Sequence, residues 1–454
     1  MPGSVNSAPT EDHAKRDIVD ILTSLKQLQL SAGDSRAIHA VLLAAPFAVV
    51  VAATAGLRHQ FWVYQGFDEA VHYGIVVSVA RTWPRPVLNG YQSWSGPLVY
   101  WLLAGLSRPF GTSLVAVRFV VTLMSWLTCL TAYVIFRDRL GARPRVALAL
   151  ASVLAVSSFF FGQSFSVLTD NPTWLFVVLA LERLLAYVQH PRSGRLAAFA
   201  AFAAAATLMR QVAVWLFLPA LVALGSVAVR PRARAWGAAF VALGLVPLAA
   251  LLVSWGNVLP SGAVQTDPGV YRLRDVCLSL AVVGLWGLLL APADDLRALH
   301  GRLRRRGGTA VVAAAVLALV AVAAGAMASL HGGDPYGIGF MGMMGEVWWH
   351  VFGTSLVWWI LVPLGAAAIV ALIVTRWRRL PDRILVVALT AVVLSSAANT
   401  MWFQRYVDFA VLLMLCGLVA CGGARVRRID VLRWVGIVGI SLAWGVVPMV
   451  LAKV

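Results

Sequence analysis

The sequence predicts an all-α protein, a polytopic bundle of transmembrane helices, on three observations. Of the 454 residues, 60% are hydrophobic, against about 45–50% in an ordinary soluble domain. Charged residues are 12% of the chain and the mean hydropathy is +0.82. The apolar residues fall into blocks of about 18–23, the length at which a helix crosses the hydrocarbon core. A soluble enzyme, a disordered chain and a nucleic-acid-binding domain are excluded. The net charge of +18 is read as an inside-facing arginine bias next to anionic lipid rather than as a footprint for nucleic acid.

The chain divides into a leader, 1–36, and a membrane domain, 37–454. In the leader, Ile18, Ile21, Leu22, Leu25 and Leu28 share one helical face, which predicts an amphipathic interfacial helix. Its polar character predicts no cleavable signal peptide. Candidate spans are 37–57, 113–136, 146–163, 171–188, 196–209, 212–229, 236–256, 275–291, 309–330, 353–375, 384–400, 406–422 and 433–451, about thirteen in all. The stretch 95–110 is apolar but short, opened by Gly96-Pro97 and closed by Arg108-Pro109. If it lies along the surface, the clusters Arg137/Arg139/Arg143/Arg145, Arg192/Arg195, Arg230/Arg232/Arg234, Arg302/Arg304/Arg305/Arg306, Arg376/Arg378/Arg379/Arg383 and Arg425/Arg427/Arg428 all fall inside. If it spans, every cluster after it moves outside. Residues 95–110 are therefore expected to form an interfacial helix in the first outer loop, 58–112.

That topology places Asp68, Glu69, Asp170, Asp267, Asp275, Asp334, Glu346 and Asp408 on or near the outer side. None falls clearly at the bilayer midplane, where a proton-coupled transporter would place an ionisable group. Chemistry at the outer face is the better expectation. The dipeptide Asp68-Glu69 lies among aromatics shortly after the first span. A carboxylate near water and partly desolvated suits the deprotonation of a sugar hydroxyl; the plain alternative is a solvated loop carboxylate. His72 follows Glu69 by three residues, too few ligands for a metal, and also reads as a hydrogen-bond partner on a helix face. Arg118, Arg210 and Arg405 are outer-side arginines at apolar boundaries, where the guanidinium fork suits phosphate oxygens. Arg405 could instead pair with Asp408 three residues on, and Arg118 and Arg210 could snorkel or pair internally. Tyr336, Trp349 and His350 lie in an outer loop rich in Gly and aromatics, suited to a stacked saccharide or to an interfacial aromatic belt. The four cysteines, Cys129, Cys277, Cys416 and Cys421, all lie in apolar blocks and show no metal spacing. No P-loop, nucleophile elbow or dinucleotide-binding glycine fingerprint occurs.

Taken in order, Asp68-Glu69-Ala70-Val71-His72, Gly96-Pro97-Leu98-Val99-Tyr100, Arg118-Phe119-Val120, Phe159-Phe160-Phe161 with Asp170, Met209-Arg210-Gln211 with Trp215, and Phe403-Gln404-Arg405-Tyr406 resemble the type C integral-membrane glycosyltransferases. Within these the chain is similar to the dolichyl-phosphate-glucose α-1,2-glucosyltransferases. It departs from them in carrying Asp170 where a Glu is expected and in lacking a long cytoplasmic insertion. The resemblance implies an inverting transfer of a hexose or pentose from a polyprenyl-phosphate sugar donor, without a cofactor or metal. The acceptor would be a glycan or glycolipid on the periplasmic or exterior face of the plasma membrane. It implies Asp68 as general base with Glu69 as the alternative, and Arg405, Arg210 and Arg118 on the donor phosphate. Asp170, His72, Tyr336, Trp349 and His350 would hold acceptor or sugar. Rival readings are a polysaccharide or lipid transporter and a ligase using a pyrophosphate-linked glycan donor.

Overall fold

The computed structural model describes residues 32–54, 66–228, 230–263, 273–290, 350–351, 354–398 and 407–422, with single positions at 301, 430, 434 and 436. Over these residues the protein is almost entirely helical; a two-residue antiparallel pair, β1 (His350–Val351) and β2 (Thr354–Ser355), is the one exception among them. The helices are α1 (Ala32–Thr54), α2 (Gly66–Thr82), α3 (Pro97–Ser107), α4 (Leu114–Val134), α5 (Pro144–Ala155), α6 (Ser158–Gln163), α7 (Asp170–Gln189), α8 (Ser193–Met209), α9 (Phe217–Ser226), α10 (Pro231–Trp255), α11 (Leu273–Leu290), α12 (Leu356–Arg376), α13 (Leu380–Ser395) and α14 (Asp408–Cys421). Four helical stretches among the described residues are long and apolar enough to cross a bilayer: Leu114–Arg139, Asp170–Gln189, Pro231–Trp255 and Trp359–Arg376. Shorter apolar helices pack among them, and the chain is a multi-pass membrane protein.

Local chemistry sets the boundaries. Ser113 caps α4, its side chain accepting from the Ala116 amide at 3.2 Å. Pro97, Pro144 and Pro231 occupy the first turns of α3, α5 and α10, where the missing amide hydrogen costs nothing. Gly256 ends α10 with φ of +63°, a left-handed cap that glycine adopts without strain. The stretch 95–110 is helical over α3, which leads through a short 3₁₀ turn at Arg108–Phe110 into α4.

Two expectations change. The span expected over 146–163 breaks into α5 and α6 at Val156-Ser157. The Ser157 hydroxyl turns back to the Leu154 carbonyl at 3.0 Å, the kind of local bond that competes with helix continuation. The stretch carrying Asp68-Glu69, expected as loop, is helix α2. Both acids sit in its first turn and Arg81 in its last, as the helix dipole favours.

The bundle has two polar ends. At one, Arg36 reaches Asp138 at 3.4 Å and Arg139 pairs with Glu182 at 2.6 Å. Gln189 donates to the Arg139 carbonyl at 2.8 Å, joining α1, the end of α4 and the end of α7. The arginine clusters around residues 137–145 and 192–195 belong to this end. At the other lie α2, α3, the start of α7 and the end of α8. There a second, smaller core gathers Val76, Val79, Tyr91, Val99, Tyr100, Leu103, Val121, Val167 and Met209. Between the ends runs the main core, in which Phe409 stacks on Phe160 at 4.5 Å and leans on Trp174 at 5.2 Å. Asp408 enters this interior, its Oδ1 accepting from the Trp286 indole at 2.7 Å. Trp286 lies one turn from the end of α11 at Leu290.

Candidate active site

The site is built from the first turn of α2 upward. Helical positions one apart differ by about 100° around the axis, so neighbouring acids face different surroundings. Glu69 points inward and is 2% exposed; Asp68 is half-buried. Glu69 takes a two-pronged bond from Arg118 on α4, Nε to Oε1 at 2.9 Å and Nη2 to Oε2 at 2.7 Å. It also accepts the Val167 amide at 2.8 Å. Arg118 is itself only 6% exposed. A buried carboxylate and guanidinium survive when the fork is complete and the remaining lone pairs are used, and both conditions are met. Glu69 and Arg118 are thus committed to each other, and Asp68 is the less buried carboxylate of the dipeptide.

The Val167 bond shows why an irregular segment can persist here. Residues 164–169, between α6 and α7, are all buried. Non-helical backbone at membrane depth needs protein partners for its polar groups. Glu69 serves the Val167 amide, Thr122 Oγ1 donates to the Ser164 carbonyl at 2.7 Å, and Leu168 N donates to the Ser166 carbonyl at 2.8 Å. Asn171 in the first turn of α7 donates to Ser125 Oγ and Ser164 Oγ, each at 2.9 Å.

This segment delivers Asp170 to the head of α7, 3% exposed, where it forms an ion pair with Arg210 at the end of α8. The two motifs read from the sequence as acceptor and phosphate groups therefore meet. They line a small pocket, with about 20 Å³ of water-sized space, together with Trp174, Trp215, Ser395 and Ser396. On the other side, His72 Nδ1 lies 2.7 Å from the Tyr100 hydroxyl, which donates to Ser93 Oγ at 2.6 Å. Tyr91 meets the Tyr100 ring edge-on at 5.5 Å. Ser95 Oγ and Thr169 Oγ1 are 2.7 Å apart, tying the segment before α3 to the residue before Asp170. Burial pushes the Tyr100 phenol up, opposed in part by Ser93, Ser95 and the nearby Arg210; burial, and next Tyr100, push Tyr91 up. Both stay neutral and work as hydrogen-bond groups.

Asp68, Glu69, His72, Arg118, Asp170 and Arg210 thus gather at one end of the bundle. Tyr336, Trp349 and Arg405 lie outside the described residues, and of His350 the structure gives only its place in β1. The sequence offered Tyr100 only inside the 96–100 motif, with no role, and did not single out Ser93, Ser95 or Thr169; aromatic and hydroxyl residues are too common to signal a site alone. Among the described residues no cluster of three or more His, Cys, Asp or Glu could hold a metal ion.

Residues 95–255, α3 through α10, match the family model described as dolichyl-phosphate-mannose-protein mannosyltransferase. The matched segment is about a third of the chain; it includes Arg118, Asp170 and Arg210 and stops short of Asp68. One similar solved structure is the S. cerevisiae protein O-mannosyltransferase Pmt1-Pmt2 complex bound to the sugar donor, at 19% identity and a TM-score of 0.39. That similarity covers 56% of this chain and 38% of the yeast chain, so this chain spans well under half of that protein's length. No curated protein matches.

Proposed function

We propose that the protein is a membrane glycosyltransferase that moves a hexose or pentose from a polyprenyl-phosphate sugar to a glycan or glycolipid acceptor. The reading places the reaction at the outer face of the plasma membrane, with inversion at the anomeric carbon. The observation that carries it is the contrast on α2: Glu69 is buried and held by Arg118 and the Val167 amide, while Asp68 is only half-buried. The family match over 95–255 supports the reaction class and favours mannose over the glucose that the sequence resemblance suggests.

In this reading Asp68 takes the proton of the acceptor hydroxyl as its oxygen attacks the anomeric carbon. The bond to phosphate breaks on the opposite side and its electron pair leaves on the phosphate. Arg405 would stabilise that charge, and Arg210, held by Asp170, lies within the same end of the bundle. The test is purified protein with a panel of polyprenyl-phosphate sugars, mannose first, scored for released polyprenyl phosphate. Asp68→Asn is expected to abolish release, by about 10²–10⁴-fold, with normal yield. Wild-type release by that variant, or no release with any donor, overturns the reading. Arg405→Ala is expected to raise the KM for donor and leave that for acceptor unchanged; equal rises would remove the phosphate role.

A further inference from the structure

The geometry points to His72 as a positioning residue that receives the proton from Asp68, an assignment that rests on the function proposed above. Asp68 and His72 are four apart on α2, so they share one face of that helix, and both are half-buried. The hydrogen bonds around His72 suit the Nδ1-protonated tautomer. The Tyr100 hydroxyl gives its hydrogen to Ser93 Oγ at 2.6 Å. With that donation made, the hydroxyl 2.7 Å from His72 Nδ1 is an acceptor and the hydrogen is assigned to Nδ1. Nε2 is then the basic nitrogen of the neutral ring. Tyr100 cannot drift: its side chain is fully buried, Tyr91 packs edge-on to it, and its ring stacks on the imidazole at 5.8 Å. The groups facing this chain are Asp68 and Glu69 from α2, Arg118 from α4 paired with Glu69, Tyr100 from α3, Tyr91 and Ser93 from the connecting segment, and the Asp170–Arg210 pair beyond Tyr100.

The proton balance follows. The acceptor hydrogen passes to the Asp68 carboxylate as the new carbon–oxygen bond forms and the phosphate leaves with its bonding pair. Asp68 then hands that hydrogen to His72 Nε2, one turn along the same face of α2. The imidazolium keeps its Nδ1 bond to Tyr100 and releases the hydrogen to water, leaving Asp68 ionised for the next cycle.

The test uses the full-length protein in detergent with ¹⁵N-labelled histidine and two variants. His72, identified by its loss in His72→Gln, is expected to show the Nδ1-protonated tautomer, and Tyr100→Phe is expected to disturb it. Asp68→Asn is expected to lower the pH at which His72 titrates, because a nearby carboxylate stabilises the imidazolium. In turnover, His72→Gln is expected to lower kcat by about ten- to a hundredfold, at the low end of what a positioned proton acceptor contributes. The acid limb of the pH–rate profile should move from the imidazole range to the carboxylate range. An unmoved His72 titration in Asp68→Asn overturns the assignment, and that measurement needs no activity. So does a His72→Gln enzyme whose acceptor KM rises while its pH profile stays fixed. Absence of turnover in the wild type would overturn the proposed reaction and leave the titration to decide the pairing.

Discussion

Adjacent acids on one helical turn play unequal parts because the turn points them in different directions. Glu69 is embedded, and its charge is tolerable only with Arg118 and the Val167 amide in place. Removing one partner of such a pair leaves an uncompensated buried charge, at a cost of about 3–5 kcal/mol. Glu69→Gln is therefore expected to lower the thermal stability of the solubilised protein markedly, where Asp68→Asn does not; differential scanning fluorimetry of both variants checks this. A variant that kills activity in both cases thus separates into a folding defect and a chemical one. The sequence offered the dipeptide as a site but could not divide it, since burial depends on Arg118 and Val167, 49 and 98 residues away. In the same way Asp170 and Arg210 were each legible as outer-side charges, and their pairing across 40 residues was not.

At the scale of elements, hydropathy located the spans well where one helix fills one apolar block, as in α4, α7 and α10. It failed where a block holds a break. Ser157 interrupts 146–163 through a bond to a carbonyl three residues back, invisible to a windowed average. It failed again at α2, whose Asp, Glu and His residues within an outer stretch read as loop although the segment is helical. The junction of α3 with α8 is held by close backbone approach: Gly96 N donates to the Met209 carbonyl at 2.8 Å, and a Cβ at Gly96 would collide with the Leu208 carbonyl. Backbone cannot yield as a flexible side chain does, so Gly96→Ala is expected to displace α3 and lower both yield and activity. Gly90→Ala, open in space but at φ of +80°, is expected to strain only a local turn. Comparing the two by size-exclusion profile and transfer rate separates a helix junction from a loop.

For the whole molecule, charge predicts the orientation; the arginine-rich clusters at 137–145 and 192–195 sit at one end and the candidate site at the other. All four cysteines are buried, so single cysteines introduced at exposed Arg85 and Arg143 report each end against a quiet background. A membrane-impermeant maleimide applied to intact cells is expected to label position 85 directly and position 143 only after permeabilisation. The reverse pattern would put the site in the cytosol and end the proposed reaction. The long reach of Glu69 also bears on how the protein is made. During synthesis its carboxylate emerges well before Arg118 and longer still before Val167, so a ribosome-bound chain carries an orphan charge at the membrane until α4 and the segment ahead of α7 have been threaded. Truncated nascent chains ending before residue 167 should therefore hold α2 loosely at the bilayer surface, open to chaperones and proteases, and the protein can acquire its working shape only after that segment has left the translocation channel.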